Sequence, residues 1–123
     1  MFHNIESLSS IVIELTNLIP QLSIFIDQFN GVVSANDVAV ITDSTGNMSL
    51  DVPKNMSEDT ANALTKRIGI VDRLINDRRA TITDLFKKGF ELESNLRSEN
   101  SKYVSQLSGK FTAYRALDKS YIH

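Results

Sequence analysis

Residues 4–30 read NIESLSSIVIELTNLIPQLSIFIDQFN, and the placing of the apolar residues in this stretch decides the fold. Ile5, Leu8, Val12, Leu15, Ile19, Leu22, Ile26 and Phe29 follow one another at alternating steps of three and four. An α-helix turns once every ~3.6 residues, so this alternation lays all of them along one stripe. Strict three-four alternation is the pattern of a coiled-coil seam, and it predicts a helix packed against partner helices over about three and a half heptads. Ile11, Ile13, Leu18, Ile24 and Phe25 widen the stripe, which predicts more than one neighbour. Pro20 lacks an N–H and crowds Thr16, yet the stripe keeps its phase through it, so a kink is expected rather than a break. Gly31 is the expected C-terminal stop.

The pattern changes after residue 31. Val38, Val40 and Thr42 alternate with Ala39, Ile41 and Asp43, and Met48, Leu50 and Val52 alternate with Ser49 and Asp51. Between the two runs lies Ser44-Thr45-Gly46-Asn47, a polar turn containing the residue most tolerant of positive φ. A β-hairpin is predicted, and two strands alone are marginal in water, so it needs a helix or further strands to pack on.

Beyond Pro53, Asn55 or Ser57 can cap a helix, and Glu58 and Asp59 sit where the helix dipole favours acids. No further proline follows. Leu64, Ile68, Val71, Ile75, Ile82, Leu85, Leu92, Leu96 and Tyr103 continue a helical stripe, interrupted at Arg78, Gly89 and Glu99. The phase then slips, and Leu107, Phe111, Tyr114, Leu117 and Tyr121 carry the stripe on, as a stutter would. Gly69 and Gly89 are the expected bending points. The fold class predicted is mainly α: a short N-terminal helix (1–31), a hairpin connector (32–53) and one long C-terminal helix (54–123), elongated and in coiled-coil packing. At ~1.5 Å per residue the first helix would span about 40 Å and the second about 95 Å. The stripe from residue 92 onward would then lie open, and open stripes mark interfaces.

Charge is divided between the halves. Residues 1–50 hold five acids and no lysine or arginine, whereas residues 51–123 hold ten acids and all thirteen bases. An enclosed first half and a solvated second half are expected. With no base ahead of the apolar run and Glu6 and Glu14 inside it, no secretory signal is predicted. No stretch of about 18 uncharged apolar residues occurs, so no transmembrane span is predicted either. The location expected on those grounds is the cytoplasm or the inside of a virus particle.

Chemistry is sparse. The chain has no cysteine, which removes disulfides, thiolate metal sites and thiol nucleophiles. The only histidines, His3 and His123, stand at opposite ends; no HxxxH spacing accompanies them, and His3 has a single acid, Glu6, three residues on. No GxSxG elbow, SxxK pair or phosphate-binding glycine loop occurs. No catalytic residue, cofactor or metal is expected, and the chain is not read as an enzyme. The densest polar feature is the basic run Lys66, Arg67, Arg73, Arg78, Arg79, Lys87 and Lys88, set against Asp72, Asp77 and Asp84. Its reading is a solvated helix face; the competing one is a set of phosphate contacts on a nucleic acid. A membrane surface is the less favoured partner, because interfacial helices carry cations on the polar face and residues 1–50 carry none.

The function expected is that of a structural or assembly subunit in a multicopy complex, such as a virion, tail or secretion-type apparatus. It would self-associate as a homo-oligomer and meet other subunits of that assembly. The expected oligomer interface comprises Ile5, Leu8, Val12, Leu15, Ile19, Leu22, Ile26 and Phe29, with Leu92, Leu96, Tyr103, Leu107, Phe111 and Tyr114. The order helix, hairpin, helix is also similar in outline to a prefoldin subunit. That likeness is one of architecture without a shared motif, and the unequal helices depart from the near-matched pair of that family. It implies a chaperone or adaptor that holds another protein.

Overall fold

The structure, a computed structural model, describes the backbone of residues 2–96 and 101–121 and the side chains of residues 5–94 and 105–121. The elements run α1 (Phe2–Ala35), β1 (Ala39–Thr42), β2 (Met48–Asp51), α2 (Glu58–Leu96) and α3 (Ser101–Ser120). Numbers falling on α2 meet numbers rising on α3: Phe86 faces Phe111, Thr83 faces Tyr114, Arg79 pairs with Asp118 and Tyr121 bonds to Asp72. The two helices are therefore antiparallel. Phe25 lies against Arg78, and Val32 shares a groove with Arg67, so α1 and α2 are antiparallel as well. Thr16 borders Gly109 and Ala113 while Asn30 bonds to Ser120, which makes α1 and α3 parallel. The result is a three-helix bundle with a hairpin at one end.

The stripe read from residues 5–29 is the spine of the core. Leu8, Leu15, Leu22 and Phe29 are wholly buried, Val12, Ile19 and Ile26 nearly so, and Ile5 is half-buried. All of these but Val12 pack with Leu64, Ile68, Ile75, Ile82, Leu85 and Phe86 of α2 and with Leu107 of α3. The helix continues unbroken through Pro20, which lies on the exposed side. It also continues through Gly31, contrary to expectation. The stop comes at Asp37, which adopts φ 52° while the Val38 N–H bonds to the Val33 carbonyl at 3.4 Å. That is a Schellman ending, with an aspartate where glycine is usual and the buried Val33 and Val38 as its apolar contact.

The hairpin forms where the alternation placed it. Val40 pairs with Leu50 and Thr42 with Met48, and Val40, Met48 and Leu50 turn inward against the core while Ile41, Ser49 and Asp51 face outward. Ser57 then caps α2, its hydroxyl accepting the Thr60 N–H at 3.2 Å.

The fold class needs correction on two points. The C-terminal region is not one helix: α2 ends at Leu96, and α3 begins at Ser101 and returns along the bundle. The phase slip near Glu99 falls between α2 and α3, whose antiparallel course replaces the expected stutter; residues 97–100 lie outside the described residues. Nor does a continuous coiled-coil register exist. The facing stripe on α2 is interrupted at Arg78 and Gly89, and the gap at Gly89 is filled by a residue of the third helix. A β-carbon at Gly89 would lie 2.9 Å from Leu107 Cδ2. Gly89 is thus a point of close approach, and α2 passes through it and through Gly69 without interruption.

The expected location also needs correction. Ile5–Ala35, 31 residues, is by length and composition apolar enough to cross a membrane or to serve as a signal helix, with 33% of its most apolar window buried inside the bundle. A spanning helix need not be wholly uncharged. Residues 7–26 contain a single charge, Glu14, and a spanning helix tolerates one.

Candidate functional site

The residues expected to form an oligomer interface are placed mainly in the chain's own core. Leu8, Val12, Leu15, Ile19, Leu22, Ile26, Phe29 and Leu107 are buried, and Ile5, Leu92, Phe111 and Tyr114 are half-buried. The side chains of Leu96 and Tyr103 lie outside the described residues, as do those of His3 and His123. The fold-back after α2 explains the placement: α3 lays its own part of that stripe, Leu107, Phe111 and Tyr114, against the core.

The basic run does not form one surface. Lys66, Arg67, Arg73, Lys87 and Lys88 are exposed, whereas Arg78 and Arg79 are half-buried. The Arg78 guanidinium stands 4.9 Å from the centre of the Phe25 ring, a cation–π contact between α2 and α1. Arg79 pairs with Asp118 and lies over Tyr121 at 5.6 Å, tying α2 to the end of α3. Lys88 pairs with Asp84 at 3.1 Å one turn away. The exposed side of α2 therefore carries cations at Lys66 and Arg73, acids at Asp77 and Asp84, and cations again at Lys87 and Lys88.

No concave site with convergent chemistry appears among the described residues. An open groove of ≈ 560 Å³ runs between α1 and α2 with Glu6, Glu14, Lys88 and Glu91 on its walls. No cluster of three or more His, Asp or Glu residues suited to a metal occurs among the described residues. The Asp43 carboxylate is used by its own turn. One of its oxygens accepts the Thr45 hydroxyl at 2.6 Å and the Thr45 and Asn47 N–H groups, each at 2.9 Å. The Thr45 hydroxyl foremost, then the Asn47 N–H, holds this carboxyl below the usual aspartate range. Gly46, at φ +87°, supplies the left-handed residue that closes the turn.

What remains outside is more informative. Ile13, Ile24 and Ile70 are 60%, 56% and 55% exposed, respectively. Ile13 and Ile24 belong to the residues that widened the N-terminal stripe; their companion Ile11 is buried, and Leu18 and Phe25 are half-buried. Ile13 and Ile24 instead point away from the core, with exposed Asn17, Pro20, Gln21 and Gly31 around them. Ile70 was missed in the sequence. Its signal was an isoleucine out of phase with Leu64, Ile68, Val71 and Ile75, set among Lys66, Arg67 and Arg73.

Compared with protein-family models, with curated proteins and with solved structures, the chain matches none.

Proposed function

We propose that the chain is a structural subunit that self-associates through the outer faces of its helices and carries no catalytic centre. The observation that carries this reading is the outer face of α1. From residue 15 to residue 26 it holds no charge, and it displays Ile13 and Ile24 to solvent at the same azimuth. A helix needed only for its inner stripe normally presents charged residues outward, and uncharged faces with large apolar residues mark contact surfaces. Size-exclusion chromatography with light scattering on the full chain tests it. A species heavier than one chain, growing with concentration, is expected; a monodisperse monomer over the whole concentration range refutes it.

A second reading is favoured by the composition of α1 as a whole. Residues 5–35 would enter a bilayer if the bundle opened, leaving the more charged α2 in water. Flotation with lipid vesicles separates the two: the membrane reading requires protein in the lipid fraction, with α1 protected from protease. A client-holding role would show as copurification with a different protein at fixed stoichiometry. Nucleic-acid contact would show as binding that weakens steeply with salt.

A further inference from the structure

The exposed charges of α1 and α2 are arranged in opposite ways. On α1, Glu6, Glu14 and Asp27 are exposed, and no lysine or arginine accompanies them anywhere in residues 1–50. Ile13 and Ile24 lie between these acids, about three helical turns and ~16 Å apart. On α2 the exposed Ile70 has Lys66 and Arg67 one turn before it and Arg73 one turn after, all three exposed. The one acid between residues 60 and 76 is Asp72, and it is occupied by the Tyr121 hydroxyl.

Neither face suits a copy of itself. Laying α1 on a second α1 sets its carboxylates against carboxylates; Lys88, in the groove beside Glu6 and Glu14, is paired with Asp84. Laying the Ile70 patch on itself sets three cations against three. Like-charge contact penalises an interface, whereas opposite potentials steer encounter and fix register. The two faces do suit each other, each offering exposed isoleucine flanked by charge of the opposite sign.

We propose that the outer face of α1 in one copy docks on the patch formed by Lys66, Arg67, Ile70 and Arg73 in the next copy. The inference rests on the self-association reading above and adds its geometry. Because the two surfaces differ, the contact is head-to-tail. Each docked copy leaves an unused face at either end, so the assembly grows into a filament or closes as a ring instead of stopping at a twofold dimer. Its strength falls as salt screens the flanking charges.

Charge reversal on the full-length chain tests this. One variant carries Glu14→Lys with Asp27→Lys, the other Lys66→Glu with Arg73→Glu; all four positions are exposed, and circular dichroism checks that helix content is kept. Each variant alone is expected to associate on the order of tenfold more weakly than the unaltered protein, because its two faces now carry the same sign. Mixed in equal amounts, the two are expected to reassociate in alternation, since every junction is again of opposite sign. Three outcomes overturn the proposal while leaving self-association standing: variants that associate as well as the parent, a mixture that fails to recover, or a parent assembly indifferent to salt. A parent that is monomeric at low and high salt removes the self-association reading itself.

Discussion

α1 and α3 lie parallel against α2, yet different forces hold them. α1 contributes a continuous run of wholly buried leucine, isoleucine and phenylalanine side chains, so it is held by the removal of apolar surface from water. Among the described residues α3 contributes one buried side chain, Leu107, while Phe111, Tyr114 and Leu117, and Tyr121 just beyond the helix, are half-buried. Its attachment relies on ring edges, with Phe86 and Phe111 centred 4.5 Å apart, and on polar ties from Arg79 to Asp118, Tyr121 to Asp72 and Asn30 to the Ser120 carbonyl. The lesson is that a bundle with one stripe of full strength can recruit its third helix with aromatic edges and a few ties. The third helix is the one that local opening should reach first.

The sharpest way to break this contrast is Leu22→Ala on α1. The side chain is wholly buried, and its loss should cost about 2–5 kcal/mol in denaturant unfolding, with the whole bundle losing cooperativity together. A cost under about 1 kcal/mol would mean that α1 is not the spine. Gly89→Ala probes the other side. Alanine is the better helix former by about 1 kcal/mol, but its methyl would press on Leu107 at 2.9 Å, and overpacking costs about 1–3 kcal/mol. A net loss of about 1 kcal/mol is expected, with faster amide exchange confined to α3. Gly31→Ala is its control, because nothing lies within 4 Å of a β-carbon there; it should stabilise by about 0.5–1 kcal/mol.

Arg79→Ala should have a smaller effect. The ion pair with Asp118 is about one-third exposed on both sides, so its removal should cost no more than about 1 kcal/mol and again loosen α3 before α1. Smallest is the response of the hairpin turn to acid. The folded Asp43 carboxyl titrates below its unfolded value, so the support it gives the turn is complete above the unfolded pKa. That support is lost as pH falls through the folded pKa. Amide chemical shifts of Thr45 and Asn47 should titrate together, with a midpoint below that of a free aspartate.

Much of the fold was legible in the chain, and for reasons that can be separated. The stripe from Ile5 to Phe29 could be read because burial imposes one period on every residue of the face. The hairpin could be read because Val40, Met48 and Leu50 alternate and Gly46 admits a positive φ. The reversal before α3 could not be read from phase alone, since a stutter and a turn both displace a stripe. The membrane-length apolar helix was hidden by Glu14 under a rule that admitted no charge at all. The candidate surface was the least legible part. Periodicity finds the residues a fold buries, while Ile70 is conspicuous only for being outside that pattern.

The notch at Gly89 has one more consequence. A short helix held by half-buried contacts could in principle dock at several heights, each one turn from the next. The notch admits a side chain with its terminal carbon only 2.9 Å from where a β-carbon would be, and Leu107 fills it. Sliding α3 by one turn would bring up Phe111 or Lys110 instead, one too bulky for the space and the other charged. A missing side chain on α2 thus works as a detent against the one-turn slide of α3 that would bring up Phe111 or Lys110.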